Sequence, residues 1–189
     1  MRALLLRVSA AFAIFLPLML ALPAWAQDET WLDGDFASWN TPGMAIPAAP
    51  TIDGNPDPRC VERERPAETA EDDALVAAGW RLFLPYQRGW GVTLISGLAG
   101  YDGMCRPLGY QSFVFVDGVF TGTVSPQPMD SRTTGAATDV NLWYADQLSA
   151  EYLRYAPDDP LCCPSSTDSV QFTIEDTPDG PVLNPVQPT

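Results

Sequence analysis

The 189-residue chain contains no histidine, and all ten of its basic residues are arginines, so it also contains no lysine. Without histidine there is no Ser-His-Asp or Cys-His catalytic arrangement and no histidine-ligated zinc. Without lysine there is no Schiff-base chemistry and no phosphate-loop lysine. Carboxylate, tyrosine, arginine and thiol chemistry remain. Positive charge is scarce overall: 24 acidic residues against ten basic ones give a formal charge of −14. A nucleic-acid partner is therefore excluded, because displacing counterions from a polyanion needs a basic face. An anionic membrane surface is disfavoured for the same reason. Acidity of this size suits solubility.

Long apolar runs are also scarce. The one such run, Ala10 to Leu22, lies in residues 1–26, which read as a secretory signal peptide. Arg2 and Arg7 form its positive start, and Ala24-Trp25-Ala26 supplies the small residues of a cleavage site. Pro17 interrupts the run, and it is shorter than the ~20 residues of a transmembrane helix. The expectation is a mature chain beginning at Gln27, without a stable membrane span, working in the periplasm or outside the cell.

Four cysteines, Cys60, Cys105, Cys162 and Cys163, follow the leader and so lie where thiols can be oxidised. They allow three pairings. A Cys162–Cys163 bond closes an eight-membered ring, an uncommon arrangement, so the expectation favours Cys60 and Cys105 each joined to one member of the adjacent pair. Each such bridge would contribute roughly 3–5 kcal/mol in the chain-entropy picture. The functional alternative is a redox pair or soft-metal site at Cys162 and Cys163. The spacings match neither a pair of C-x-x-C zinc knuckles nor a C-x-x-C at a helix start.

Residues 27–58 are rich in Pro, Gly, Ala and Asp and read as a linker. Trp31, Phe36 and Trp39 are unusual there; they either dock on the domain or form a partner-binding segment. The core is expected over residues 59–175. It opens with a helix that begins near Pro66, carries Glu68, Glu71, Asp72 and Asp73 in its N-terminal half and ends at Gly79. Strand composition follows at 80–84, 90–95, 112–116, 119–124, 140–144, 151–155 and 169–174. Asp117-Gly118 between two of these runs predicts a two-residue type I′ hairpin. The fold class is α+β: a mostly antiparallel sheet of about six or seven strands, one N-terminal helix packed on it, stapled by disulfides. Residues 176–189 hold four prolines and read as a disordered tail.

Candidate site residues are few. Asp158 and Asp159 precede the cysteine pair and are weak candidates for a divalent cation, with a simple turn as the alternative. Asp72-Asp73 reads as a solvated helix face. Asp33-Gly-Asp35 begins like a calcium loop, but Ser38 stands where glycine is required. Arg106 is placed to pair with a carboxylate. Trp143, Tyr144, Tyr152 and Tyr155 could form an aromatic strip for a sugar or peptide, although strand alternation turns about half of them toward the core.

Three runs, Asp102-Gly-Met-Cys-Arg-Pro107, Phe113-Val-Phe-Val-Asp-Gly118 and Phe120-Thr-Gly-Thr-Val-Ser-Pro126, resemble the LppP/LprE lipoprotein family. Arg154-Tyr-Ala-Pro-Asp-Asp-Pro-Leu-Cys-Cys-Pro-Ser165 is similar to a segment of its exported relatives. The resemblance implies export and a disulfide-linked core, and it carries over no catalytic residue. Gln27 stands where lipoprotein members have the lipidated cysteine, so a lipid anchor is not expected. The reading is a non-catalytic envelope protein without a cofactor, acting as a binding or structural module for an envelope protein or small ligand. The alternatives are a thiol oxidoreductase using Cys162 and Cys163, and a divalent-cation binder.

Overall fold

A computed structural model describes residues 30–34, 36–53 and 57–186. The expected signal peptide lies outside the described residues. Among these residues a 3-10 turn (Trp31–Asp33) and two short helices, α1 (Pro58–Val61) and α2 (Ala70–Ala77), precede ten strands. These are β1 (Arg81–Gly89), β2 (Val92–Leu98), β3 (Gly100–Tyr101), β4 (Pro107–Leu108), β5 (Gln111–Val116), β6 (Val119–Thr123), β7 (Ala137–Tyr144), β8 (Gln147–Arg154), β9 (Ser166–Thr177) and β10 (Gly180–Val186). They form three antiparallel sheets: β1-β2-β5-β6, β10-β9-β8-β7 and the ribbon β3-β4. The mostly antiparallel expectation holds, but one sheet with one helix becomes two packed four-stranded sheets, a ribbon and two helices.

The two large sheets face each other. Val92, Leu94 and Val114 of the first meet Leu148, Ala150, Tyr152, Val170, Phe172 and Leu183 of the second in one buried cluster. Alternation turns Ile95, Phe113 and Phe115 to the other face of the first sheet. There Leu75 of α2, Trp80 and the segment carrying Met44, Ile46 and Ala49 cover them. The first sheet is thus buried on both faces, which explains why Phe113-Val-Phe-Val is a continuous apolar run.

Side-chain amides stitch both open seams of this sandwich. At β6 and β10, the Asn40 Nδ2 donates to Thr123 O (3.0 Å) and Leu183 O (2.9 Å), and its Oδ1 accepts from Thr123 N (2.9 Å). At β1 and β7, the Gln87 Nε2 donates to Val140 O (2.7 Å) and its Oε1 accepts from Leu142 N (2.9 Å). Each amide supplies a donor and an acceptor, as a neighbouring strand would. One amide thus bridges the two sheets at each seam.

Three sequence expectations need correction. The supposed linker is a strap: Trp31 packs edge-on against Trp39 (5.2 Å) and Tyr152 (4.8 Å), and Trp80 Nε1 donates to Pro47 O (2.7 Å). The aromatics dock because the seam and the outer sheet face would otherwise be wet. The supposed tail pairs as β10 along the edge of β9. Leu183 O points away from β9 to Asn40, so Pro181 and Pro185, of the same parity, turn their missing N–H groups off the ladder too. The helix begins only at Ala70, capped by Thr69 Oγ1, which accepts from Asp72 N (3.2 Å), while Pro66 remains outside it. The type I′ hairpin is present, with φ of 47° at Asp117 and 82° at Gly118.

The cysteines pair differently from expectation. Cys60 bonds Cys105, and Cys162 bonds Cys163. Cys60 is buried in α1, and the Cys60 and Cys105 Cα atoms lie 4.8 Å apart, within the disulfide range. Arg63 Nη1 reaches Cys105 O (3.4 Å) and holds the two segments together. With that partner taken, the adjacent pair is left to itself.

Candidate functional site

A cleft bordered by the buried Leu94 and Ser112 lies at the β1/β7 seam. β1 pairs with β2 in register at Phe83↔Ser96 and again at Gln87↔Leu94, with a bulge between. Leu84 takes φ of 63°, and Pro85 follows it. A bulge bends its strand, and proline inside a strand is accommodated at bulges. Beyond the Gln87 stitch, β1 therefore stands off from β7 and leaves a cleft of about 430 Å³. Phe83, Leu84 and Pro85 form one wall and Ala137 to Val140 the other. Leu94, Ser96, Tyr110 and Ser112 also line it.

Apart from the Asp139 carboxylate, its polar side chains are uncharged, hydroxyls together with the Gln87 amide. Ser96 Oγ and Ser112 Oγ lie 3.2 Å apart and share one hydrogen bond, which leaves acceptor capacity on both. The Tyr110 hydroxyl donates to Ala137 O (2.7 Å). Burial, with Asp130 nearby, pushes its phenol well above the ordinary tyrosine value, so it stays protonated. Asp139 is the sole carboxylate of the lining and is exposed. Such a cleft suits a small ligand with an apolar body and an uncharged hydrogen-bonding end.

The residues singled out from the sequence lie elsewhere. Cys162 and Cys163 sit exposed in the loop between β8 and β9. In that loop the Asp159 carboxylate accepts from Ala156 N (2.7 Å), Ser165 N (2.7 Å) and Ser165 Oγ (2.5 Å). The Ser165 hydroxyl, with the backbone donors, holds its carboxyl below the ordinary value. Asp159 thus closes the loop, and Asp158 beside it is exposed. Among the described residues, no group of three or more His, Cys, Asp or Glu side chains converges on a metal position.

Asp72 is fully buried, contrary to the solvated face expected for it; Asp73 is exposed. Both Asp72 oxygens engage Arg65, at 2.6 and 2.7 Å, and one also accepts from Glu68 N (3.0 Å). Burial works to raise its carboxyl, but these partners outweigh burial and hold it below the ordinary value. Arg106 pairs with Asp102, as anticipated. In the turn Trp31–Asp33, capped by Thr30, the Asp33 carboxylate accepts from Thr30 N (2.9 Å) and from Arg154 Nη1 (2.7 Å); Asp35 lies outside the described residues. Of the aromatic strip, Tyr152 is core and donates to Val124 O, Tyr155 is half-buried, and Trp143 and Tyr144 are exposed.

The cleft residues Gln87, Ser96, Tyr110 and Ser112 escaped the sequence reading. Pro85 within an otherwise strand-like run was the available signal of a bulge.

Residues 93–177 match the family model of the LppP/LprE lipoproteins. The matched segment carries the β2, β4, β5 and β7 sides of the cleft, while the β1 wall precedes it. No curated protein and no solved structure matches the chain. The LppP/LprE match and the Cys60–Cys105 disulfide are consistent with an envelope or exported protein. Among the described residues, no helix is long and apolar enough to cross a membrane.

Proposed function

We propose that this chain is an exported, non-catalytic envelope protein that binds a small, largely apolar ligand in the β1/β7 cleft. The observation that carries this reading is the bulged seam: an opening of about 430 Å³ whose lining combines apolar side chains with the paired Ser96 and Ser112 hydroxyls and has one carboxylate, Asp139, at its exposed rim. Proteins commonly place such openings where they hold ligands. The LppP/LprE match supports the envelope setting. The formal charge of −14 favours an uncharged ligand over an anionic one.

The neutral dye N-phenyl-1-naphthylamine tests the reading. Its fluorescence should rise saturably at one site per chain. Ala137→Phe, which fills one wall, should weaken that binding at least about tenfold at unchanged melting temperature. A non-saturable signal, or equal binding by the variant, contradicts the assignment.

A further inference from the structure

Two neighbouring hairpins of the first sheet use the same turn with different residues. β1 and β2 are joined by Trp90-Gly91, with φ of 55° and 82°. β5 and β6 are joined by Asp117-Gly118, with φ of 47° and 82°. The turns touch: Asp117 N donates to Gly91 O at 2.8 Å. A type I′ turn favours Asn, Asp or Gly at its first position, because φ is positive there, and a bulky side chain in that region is an outlier. Asp117 obeys the rule. Trp90 breaks it, yet its indole is 65% exposed and buries little in return.

A strained backbone at an exposed aromatic points to a use outside folding. Tyr144, at the tip of β7, is 62% exposed and stands with its ring centroid 6.2 Å from that of Trp90, tilted by 43°. Neither ring stacks flat on the other. Beside Trp90 lies a second hollow of about 340 Å³, lined also by Glu71, Arg88 and Asp117. Arg88 is held in place there: Nε donates to Thr93 Oγ1 (3.1 Å) and Nη2 to Glu71 (3.0 Å). Its side chain remains about half exposed. Asp117 is exposed.

We propose that Trp90 and Tyr144, with Arg88 and Asp117, form a saccharide-binding platform for an uncharged acetamido-sugar chain. Aromatic faces pack on the C–H face of a pyranose ring and leave its hydroxyls free for polar neighbours. A fixed guanidinium donates to a hydroxyl or acetamido oxygen, and a carboxylate accepts from a hydroxyl or acetamido N–H. The exposed Asp117 carboxylate beside the aromatics argues against an anionic bilayer as the occupant, while Glu71 is buried and paired with Arg88. The platform is independent of the β1/β7 cleft.

The test uses the whole exported chain, titrated calorimetrically with the β-1,4-linked tetramer of N-acetylglucosamine. Phosphatidylcholine vesicles are assayed in parallel by co-sedimentation. The wild type should bind the tetramer saturably and leave the vesicles in suspension. Trp90→Asn should weaken tetramer binding at least about tenfold while keeping or raising the melting temperature, because Asn suits the turn. Tyr144→Ala should weaken it in the same direction, and Ala137→Phe should leave it unchanged. No saturable heat with the wild type overturns the proposal, as does equal binding by Trp90→Asn. Vesicle capture lost in Trp90→Asn assigns the patch to membranes instead. A melting temperature several degrees lower in Trp90→Asn makes the indole a structural residue and also overturns the proposal.

Discussion

Asn40 occupies the space that a side chain on Gly122 would need. Gly122 adopts φ of 150°, and a Cβ built there would collide with the Asn40 amide. The same amide joins Thr123 of β6 to Leu183 of β10. A residue of the strap thus seals one seam of the sandwich, and the strand beside it is bare so that the residue fits.

Asn40→Ala should cost about 2–3 kcal/mol, because it leaves Thr123 N without its partner in a buried seam. Gly122→Ala should cost a similar amount through collision and backbone strain. The two should not add. Once Asn40 is shortened, the new methyl group has room, so the double variant should be more stable than the sum by about 1 kcal/mol or more. Urea denaturation of the four proteins gives the coupling, and strict additivity contradicts the contact.

The two disulfides should differ sharply in worth. Cys60 and Cys105 are 45 residues apart, for which loop-closure entropy gives about 4 kcal/mol. Cys162 and Cys163 are adjacent and restrict almost no unfolded chain. Replacing Cys60 and Cys105 by serine should lower the melting temperature steeply, while replacing Cys162 and Cys163 should leave it within a few degrees. Calorimetry compares them directly. A larger loss from the adjacent pair contradicts the pairing observed.

Stability should be flat across the middle of the pH range, since no histidine titrates there. The folded Asp72 carboxyl lies below its ordinary value, despite burial, because Arg65 and backbone donors hold it ionised. Its stabilisation is therefore complete above the unfolded value near ~4 and is lost as pH falls through the folded value. Asp72→Asn should lower stability at neutral pH and flatten the acid limb. At high pH the sign reverses. Burial raises Tyr110 and Tyr152, and burial with the Glu64 carboxylate pushes Tyr101 up to about 12. Their contribution is complete below the unfolded value near ~10 and is lost as pH rises through the folded values. Denaturation midpoints between pH 3 and 11 check both limbs, and a step between pH 6 and 8 contradicts the account.

Much of the sheet structure was legible because its signals are local. Asp117-Gly118 marked its hairpin, and alternation marked Val170, Phe172 and Ile174 in β9. Pairing across long separations was not legible. Pro181 and Pro185 read as a tail because nothing nearby shows that β10 is an edge strand. The strap read as a linker because its partners, Thr123, Leu183 and Tyr152, lie more than about eighty residues away in the chain. Asp72 read as solvated because Arg65, which buries and neutralises it, lies before the helix rather than on it. The cleft depends on a bulge between two registers of β1, and register is a property of the pair rather than of either strand.

Native mass spectrometry of the protein exported by its own host, purified without detergent, tests the cleft most directly. The expected result is the chain from Gln27 with two disulfides, carrying one small molecule that Ala137→Phe fails to retain. A bare chain from the wild type, or equal retention by the variant, would contradict a ligand in the β1/β7 seam.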